Sequence, residues 1–275
     1  MSGTLFVVST PIGNLGDISE RARQVLARVD LVAAEDTRHS GQLLAALDIK
    51  TRLVSCHDHN EASRAVGLVE RMLAGESVAL ISDAGTPLVS DPGFRLVGAC
   101  HEAGVPVVPV PGASALLAAL AAAGLPTDRF CYEGFPPARG GARRAMLERV
   151  SAAPLTSVLF EAPHRMESLL DQLLTLAGPQ RPAALCRELT KHYETILTGS
   201  LAEIRQRLRD DANQLRGEMV LVLGGAPEEA VATAELQRLA GLLAAELPAS
   251  KAAKVLAAWS GRKRQEMYQL VEALE

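Results

Sequence analysis

The sequence predicts an α/β protein, two α/β domains followed by a small helical unit. Three observations predict it. Short apolar runs alternate with segments whose apolar residues recur at three- and four-residue spacing, which reads as strand–helix repetition and a mostly parallel sheet with helices on its faces. That alternation restarts after about residue 120. From Ala226 onward the pattern is helical only. We divide the chain accordingly at 1–116, 117–226 and 227–275.

In the first domain the strand-like runs are Leu5–Ser9, Leu31–Ala34, Leu53–Cys56, Val78–Ser82 and Val105–Val110, with helical spacing in Asp17–Arg28 and Ala62–Ala74 between them. Pro106 and Pro109 cannot donate to a ladder, so the fifth run is expected at an edge or a bulge. The second domain offers Phe130–Glu133, Thr156–Glu161, Ala183–Arg187, Glu194–Thr198 and Met219–Leu223. The whole stretch from Arg187 to Leu201, with Thr190, Thr195 and Thr198 among apolar positions, reads as strand. The spacers are short, so some pairing is expected to be antiparallel. Pro136 to Arg144 is Pro/Gly/Arg-rich and reads as a mobile loop. The tail reads as helices Glu235–Glu246, Ser250–Trp259 and Arg262–Leu274, with Ser250 and Ser260-Gly261 as caps or breaks. Lys251, Lys254, Arg262, Lys263 and Arg264 form a stretch free of acids. It is a solvated helical face or part of a helix-turn-helix.

The composition bounds the function. Hydrophobic residues make up 48% of the chain, enough for real cores, and the net charge of −4 argues against a general nucleic-acid coat while leaving room for a local basic patch. The four cysteines are scattered without a C-x-x-C, which fits reduced thiols rather than a disulfide frame or a zinc site. No signal-peptide pattern precedes the first strand, and the Ala/Leu run Ala115–Ala123 is far below the ~20 residues of a membrane span. A soluble, cytoplasmic protein without membrane contact is expected.

Two glycine-rich turns carry the functional signal: Ser9-Thr-Pro-Ile-Gly13-Asn-Leu-Gly-Asp17 and Ser82-Asp-Ala-Gly85-Thr-Pro-Leu-Val-Ser-Asp91-Pro-Gly93. Each follows an apolar run, and ligands of open α/β sheets lie outside the carboxyl ends of the strands. Phosphate-binding patterns are missing: there is no G-x-x-x-x-G-K-[ST], and the spacing around Gly13 is not G-x-G-x-x-G. Asp83 and Asp91 would repel phosphate. Carboxylates, hydroxyls and backbone groups suit an amino acid, a ribose or a sulfonium cation, which S-adenosylmethionine combines. A third turn, Val110-Pro-Gly-Ala-Ser114, opens the Ala-rich helix, with Ser114 an N-cap by type or a cofactor contact.

The order of these motifs, together with A-E-D-T-R (Ala34–Arg38) and V-P-G-A-S (Val110–Ser114), resembles the tetrapyrrole methylase superfamily. With E-A-P-H-R (Glu161–Arg165) and C-R-E-L-T-K-H-Y-E (Cys186–Glu194), it resembles the ribosomal RNA small subunit methyltransferase I branch. The resemblance covers residues 3 to about 225 and weakly the tail. It implies a tetrapyrrole methylase-like (class III) methyltransferase with S-adenosylmethionine in a cleft between two α/β domains, a homodimer, and methyl transfer to a cytidine 2′-hydroxyl in the decoding region of small-subunit rRNA. By motif position, Pro11, Ser82, Asp83, Ala84, Val89, Ser114 and Ala115 would meet the cofactor. Phe160, Ala162, Glu188 and Leu189 would close over it.

Displacement at a sulfonium needs placement above all, and good alignment can supply ~7–11 kcal/mol of the barrier. A ribose hydroxyl is a weak nucleophile, so a base or acceptor adds typically about 10²–10⁴-fold. Candidates at predicted strand ends are Glu161, Glu188 and Asp36. We expect Glu161 to accept the proton or orient the hydroxyl, with Lys191 and Arg165 gripping flanking phosphates. Glu35 and Glu188 are also read as ion pairs with Arg38 and Lys191. Arg38 and Arg187, and Lys251, Arg262 and Lys263 of the tail, are the expected RNA contacts. His57-Asp-His59 has no third ligand at useful spacing, so no metal is expected. The competing readings are a small-molecule methylase of the same superfamily acting on a porphyrin precursor, and a non-catalytic RNA-binding or ribosome-assembly factor. A nicotinamide-dependent dehydrogenase fits worst, because the glycine spacing is wrong.

Overall fold

The computed structural model describes residues 2–273. Its contacts divide the chain into two units. The first takes in 1–123, 186–196 and 217–220, and the second the remainder, including the tail. The expected boundary at 116 falls inside a helix that stays with the first unit.

The first sheet has the order β3-β2-β4-β1-β5, from β1 (Leu5–Val8), β2 (Leu31–Ala34), β3 (Leu53–Ser55), β4 (Val78–Ile81) and β5 (Val107–Val110). All four pairings are parallel, with Leu5 opposite both Val78 and Val107. Strand β5 lies at the edge, paired only with β1, as Pro109 requires. Successive residues of a strand point to opposite faces, and both faces are covered. Leu31, Ala33, Val78 and Leu80 pack on α3 (Glu61–Leu73) and α4 (Phe94–Glu102), while Val32, Ala34, Ala79 and Ile81 pack on α1 (Glu20–Arg28) and α2 (Thr37–Ala46). Ser19 caps α1, accepting from the Ala22 N–H, and Asp36 caps α2. Buried Glu61 accepts from the Arg95 and Leu96 N–H groups, satisfying the start of α4, where Gly93 has no side chain to do so. The last helix of the first unit is α5 (Ala115–Ala123).

The second sheet has the order β6-β7-β10-β8-β9, from β6 (Phe130–Gly134), β7 (Thr156–Glu161), β8 (Pro182–Arg187), β9 (Thr195–Ser200) and β10 (Met219–Leu223). Helices α6 (Gly141–Ala152), α7 (Pro163–Ala177) and α8 (Leu201–Asp210) accompany it, and α7 buries Met166, Leu169, Leu170 and Leu173. Two expectations change here. The stretch from Arg187 to Leu201 is not one strand: a turn at Glu188–Glu194 separates β8 from β9. The Lys191 N–H closes that turn on the Glu188 carbonyl at 3.0 Å. The Pro136–Arg144 segment is loop only to Gly140. Helix α6 begins at Gly141, and Arg143 is a buried member of it.

In the tail, α9 (Glu228–Glu246) starts earlier than expected, and α10 (Ala249–Ser260) and α11 (Arg264–Glu272) follow. Ser250 lies inside α10, behind Pro248 at the N-cap position, so it is no cap. Gly261 (φ 68°) makes the expected break, since only glycine takes that left-handed turn freely. Residue 274, the expected end of α11, lies outside the described residues. Leu236, Ala240, Ala252, Ala253, Leu256, Met267 and Val271 give the three helices a small core of their own.

Candidate functional site

Strands β4, β1 and β5 are adjacent and parallel, so the three glycine/proline turns leave the same edge of the first sheet. Hydrogen bonds stitch them together. Thr10 and Gly85 exchange both backbone bonds, at 2.8 and 3.1 Å. The Thr86 hydroxyl donates to the Ala113 carbonyl at 3.1 Å and lies 2.9 Å from the Ser9 hydroxyl, which is left to donate to it. Gly112 is required by close approach: a Cβ there would sit 2.9 Å from Ser9 Cβ. Leu88 (φ 72°) and Ser90 (φ 66°) hold left-handed backbone that costs of order 1–3 kcal/mol each, a kind of strain that clusters at ligand sites.

Of the expected cofactor residues, Pro11, Ser82, Asp83, Ala84, Val89, Ser114 and Ala115 all belong to these three loops or to the first residue of α5. Asp83 Oδ1 accepts from the Asp36 N–H at 3.0 Å, tying the second loop to the A-E-D-T-R segment. Burial pushes the Asp91 carboxyl up, against a hydrogen bond with Ser82, and Asp83 adds to the rise. Burial also pushes Glu35 up, helped by Asp91 and Asp83. Sequence reasoning did not place Glu35 in this cluster; its position one residue after β2 was the available signal. Arg38 pairs not with Glu35 but with Asp36, at 3.0 Å, and this holds the Asp36 carboxyl down to about 2. Carboxylates short of counter-charge, small residues and hydroxyls fit a cofactor carrying a cation and a ribose.

The turn after β8 belongs to the same unit. Lys191 Nζ bridges Glu188 Oε1 at 2.9 Å and Glu218 Oε2 at 3.0 Å. Burial works against the Lys191 ammonium, but the two carboxylates outweigh it and raise its pKa, so it remains a cation at neutral pH. Its methylene stem runs across Gly13 (φ 140°), where a Cβ would fall 2.4 Å from Cγ and 2.5 Å from Cε. Glu188 (φ 51°) and Thr190 (φ 67°) are again left-handed, and Leu189 is buried. Arg187 is 8% exposed and donates to the Tyr193 carbonyl at 2.9 Å. It is thus built into the turn, which removes it from the expected phosphate contacts. Arg38, with its side chain 89% exposed, keeps that capacity.

In the second unit, Phe160 stacks edge-on against Tyr132 and Phe135. Its neighbour Glu161 has no exposed side-chain surface. Glu161 Oε1 accepts from Arg165 and from the Ala162 N–H, and Oε2 from Arg143 Nη1 at 2.9 Å. The expectation that Glu161 meets the ribose hydroxyl is corrected by this placement: an enclosed carboxylate with both oxygens committed to cations anchors them and is out of reach of an outside hydroxyl. Arg165 keeps 25% of its side chain exposed, and among the described residues its Nε, like Arg143 Nη2, is buried without a hydrogen-bond partner. In the tail, Lys251, Arg262 and Lys263 are all exposed.

Among the described residues no cluster of His, Cys, Asp and Glu could hold a metal ion, and no helix is long and apolar enough to cross a membrane. Cys56, Cys100 and Cys186 are buried free thiols, each pushed by burial to about 11.

Residues 4–205 match the model of the tetrapyrrole (corrin/porphyrin) methylases, and residues 230–275 that of the RsmI C-terminal HTH domain. The chain is 51% identical to a ribosomal RNA small subunit methyltransferase I of Pseudomonas aeruginosa over 98% of its own length and 96% of that protein. It is 48% identical to the protein of the same name from Xylella fastidiosa, over 97% and 98%. The crystal structure of uroporphyrin-III C-methyltransferase from Thermus thermophilus, complexed with S-adenosylhomocysteine, shares the fold at TM-score 0.54 and 20% identity, covering 81% of this chain and 97% of that one.

Proposed function

The chain belongs to the tetrapyrrole methylase family and to its ribosomal RNA small subunit methyltransferase I group, and on that premise we propose that it methylates small-subunit ribosomal RNA. The site proposed is the ribose 2′-hydroxyl of a cytidine in the decoding region, the methyl donor S-adenosylmethionine, the acting form a homodimer, and the compartment the cytoplasm. The observation that carries this reading is likeness along nearly the whole chain, tail included, to proteins named ribosomal RNA small subunit methyltransferase I.

When bound, S-adenosylmethionine supplies an activated methyl group on a sulfonium. Pro11, Ser82, Asp83, Ala84, Val89, Ser114 and Ala115 would hold it at the stitched loop edge, with Leu189 and Glu188 from the turn after β8, all within the first unit. The raised-pKa carboxyls of Asp91 and Glu35 would complement its cationic charge. Glu161 serves as the anchor that fixes Arg165 through an i, i+4 ion pair. The exposed part of Arg165, with Arg38, holds RNA phosphates. Lys191, kept cationic by Glu188 and Glu218, adds positive potential beside the first loop. With Glu161 enclosed, the rate enhancement rests mainly on placement of the two reactants.

Transfer of labelled methyl from S-adenosylmethionine to small subunits isolated from cells lacking the activity tests this. Free rRNA and a porphyrin precursor run alongside, and the products are digested to nucleosides. Label in 2′-O-methylcytidine is expected. Label in the porphyrin precursor alone would sink the proposal.

A further inference from the structure

Helix α10 presents an outer stripe that the tail's core does not use. Ala252, Ala253 and Leu256 face inward, whereas Lys251, Lys254, Val255 and Trp259 are exposed and recur at i, i+3, i+4 and i+8, on one face. Trp259 is 55% exposed, an unusual position for the largest apolar side chain in a chain with 3% aromatics. Beyond it, across the Gly261 turn, Arg262 and Lys263 continue the positive charge, and no acid occurs from Leu247 to Gln265. The chain as a whole is negative, so this is a local departure from its own composition.

We propose that this stripe binds an unpaired segment of RNA, with one base stacked on the Trp259 indole and the flanking phosphates held by Lys254, Arg262 and Lys263. The proposal rests on the reading that the substrate is ribosomal RNA. Charge complementarity and an exposed ring in one stripe are the two elements of single-strand recognition. A helix-turn-helix helix cannot read paired RNA from the deep, narrow major groove, so the duplex mode of that motif is closed to it. The large apolar side chains of the stripe are Val255 and Trp259 alone, too few for insertion into a lipid surface.

Trp259 is the only tryptophan in the chain, so its fluorescence reports on this face in the full-length protein. Titration with a single-stranded RNA oligonucleotide should quench it, and the same strand annealed to its complement should quench less. Trp259→Ala should weaken single-strand binding about 5- to 150-fold, the range of one base–aromatic stack, with the slope of log affinity against log salt unchanged. Trp259→Phe should recover most of the affinity. Lys263→Ala should lower the slope by roughly 0.7, one phosphate contact on a single strand. Since all these side chains are exposed, far-ultraviolet circular dichroism should not move. An unquenched tryptophan, tighter binding of the duplex, stronger quenching by anionic vesicles than by RNA, or a Trp259→Ala variant that binds like the parent would each overturn the proposal. Methyl transfer by the parent protein to small subunits, measured beside these titrations, separates the two ideas. Transfer with no role for Trp259 refutes the stripe alone, and absence of transfer to RNA refutes the substrate reading beneath it.

Discussion

Replacing Glu161 by glutamine removes the one negative charge between two guanidinium groups while keeping the side chain's size. The carboxylate takes three donors: Arg165 and the Ala162 N–H on Oε1, and Arg143 on Oε2. An amide has a single acceptor oxygen. In its better orientation that oxygen replaces Oε1 and keeps two bonds, and the NH2 group then faces Arg143, donor against donor. A lost hydrogen bond to a charged group costs ~1.5–3 kcal/mol. Arg143 has a side chain only 5% exposed, so the uncompensated charge carries the cost toward the ~3–5 kcal/mol seen when one partner of a buried pair is removed. At ~2–4 °C per kcal/mol for a chain of this size, the melting midpoint should fall by about 6–20 °C.

Scanning calorimetry reads the midpoint, and methyl transfer is assayed well below it. Arg143→Met and the double variant complete a cycle in which the double change should cost less than the sum of the singles, because the two groups form one network. If Glu161→Gln melts within about a degree of the parent yet abolishes transfer, Glu161 acts on the substrate and the anchoring argument is wrong.

Gly13→Ala should both strain the backbone at φ 140° and collide with three methylene carbons of Lys191 within 3 Å, destabilising the first unit by ~1–3 kcal/mol. Chemical denaturation measures it, and Lys191→Ala in the same chain should return only the steric part. The raised carboxyl pKa values of Asp91 and Glu35 set a pH dependence with opposite signs for ligand and fold. A cationic methyl donor favours the ionised carboxyls, so its affinity by calorimetric titration should rise with pH from the ordinary carboxylate range up to the raised values and then level; Asp91→Asn should flatten that rise. Without ligand, the native state binds more protons than the unfolded chain in the same window, so stability should decline as pH rises through it. An affinity that ignores pH there would remove the carboxyls from the cofactor site.

The sequence made the first sheet legible because its signals are local. Apolar runs such as Val78–Ile81 end at Gly/Pro turns, and Pro109 announces an edge strand by lacking a donor. The turn at Glu188–Glu194 was illegible because nothing in Arg-Glu-Leu-Thr-Lys resembles a turn: Glu188 and Thr190 take left-handed backbone that neither residue prefers, and tertiary contacts impose it. Helix α6 hid its start behind Gly140-Gly141, which reads as loop, and Arg143 reads as surface charge until Glu161 is seen beneath it. Glu161 was misassigned for the same reason. Residue type and motif position mark a carboxylate as reactive, while burial and partners decide whether anything can reach it.

The same logic explains two glycines whose purpose no local pattern reveals. Gly13 lies in the first loop and Gly217 just before β10, far apart in sequence. A Cβ at the first would strike Lys191, and a Cβ at the second would lie 2.4 Å from Glu188 Cδ. Lys191 and Glu188 are the two ends of one ion pair. The glycines therefore hold open the space through which that pair is threaded, within the unit that takes in residues 186–196 and 217–220. A positive charge fixed beside the first glycine-rich loop is then a property of four separated positions acting together. Exchanging the charge alone, as in Lys191→Met, should disturb transfer more than stability, whereas filling either glycine should disturb both.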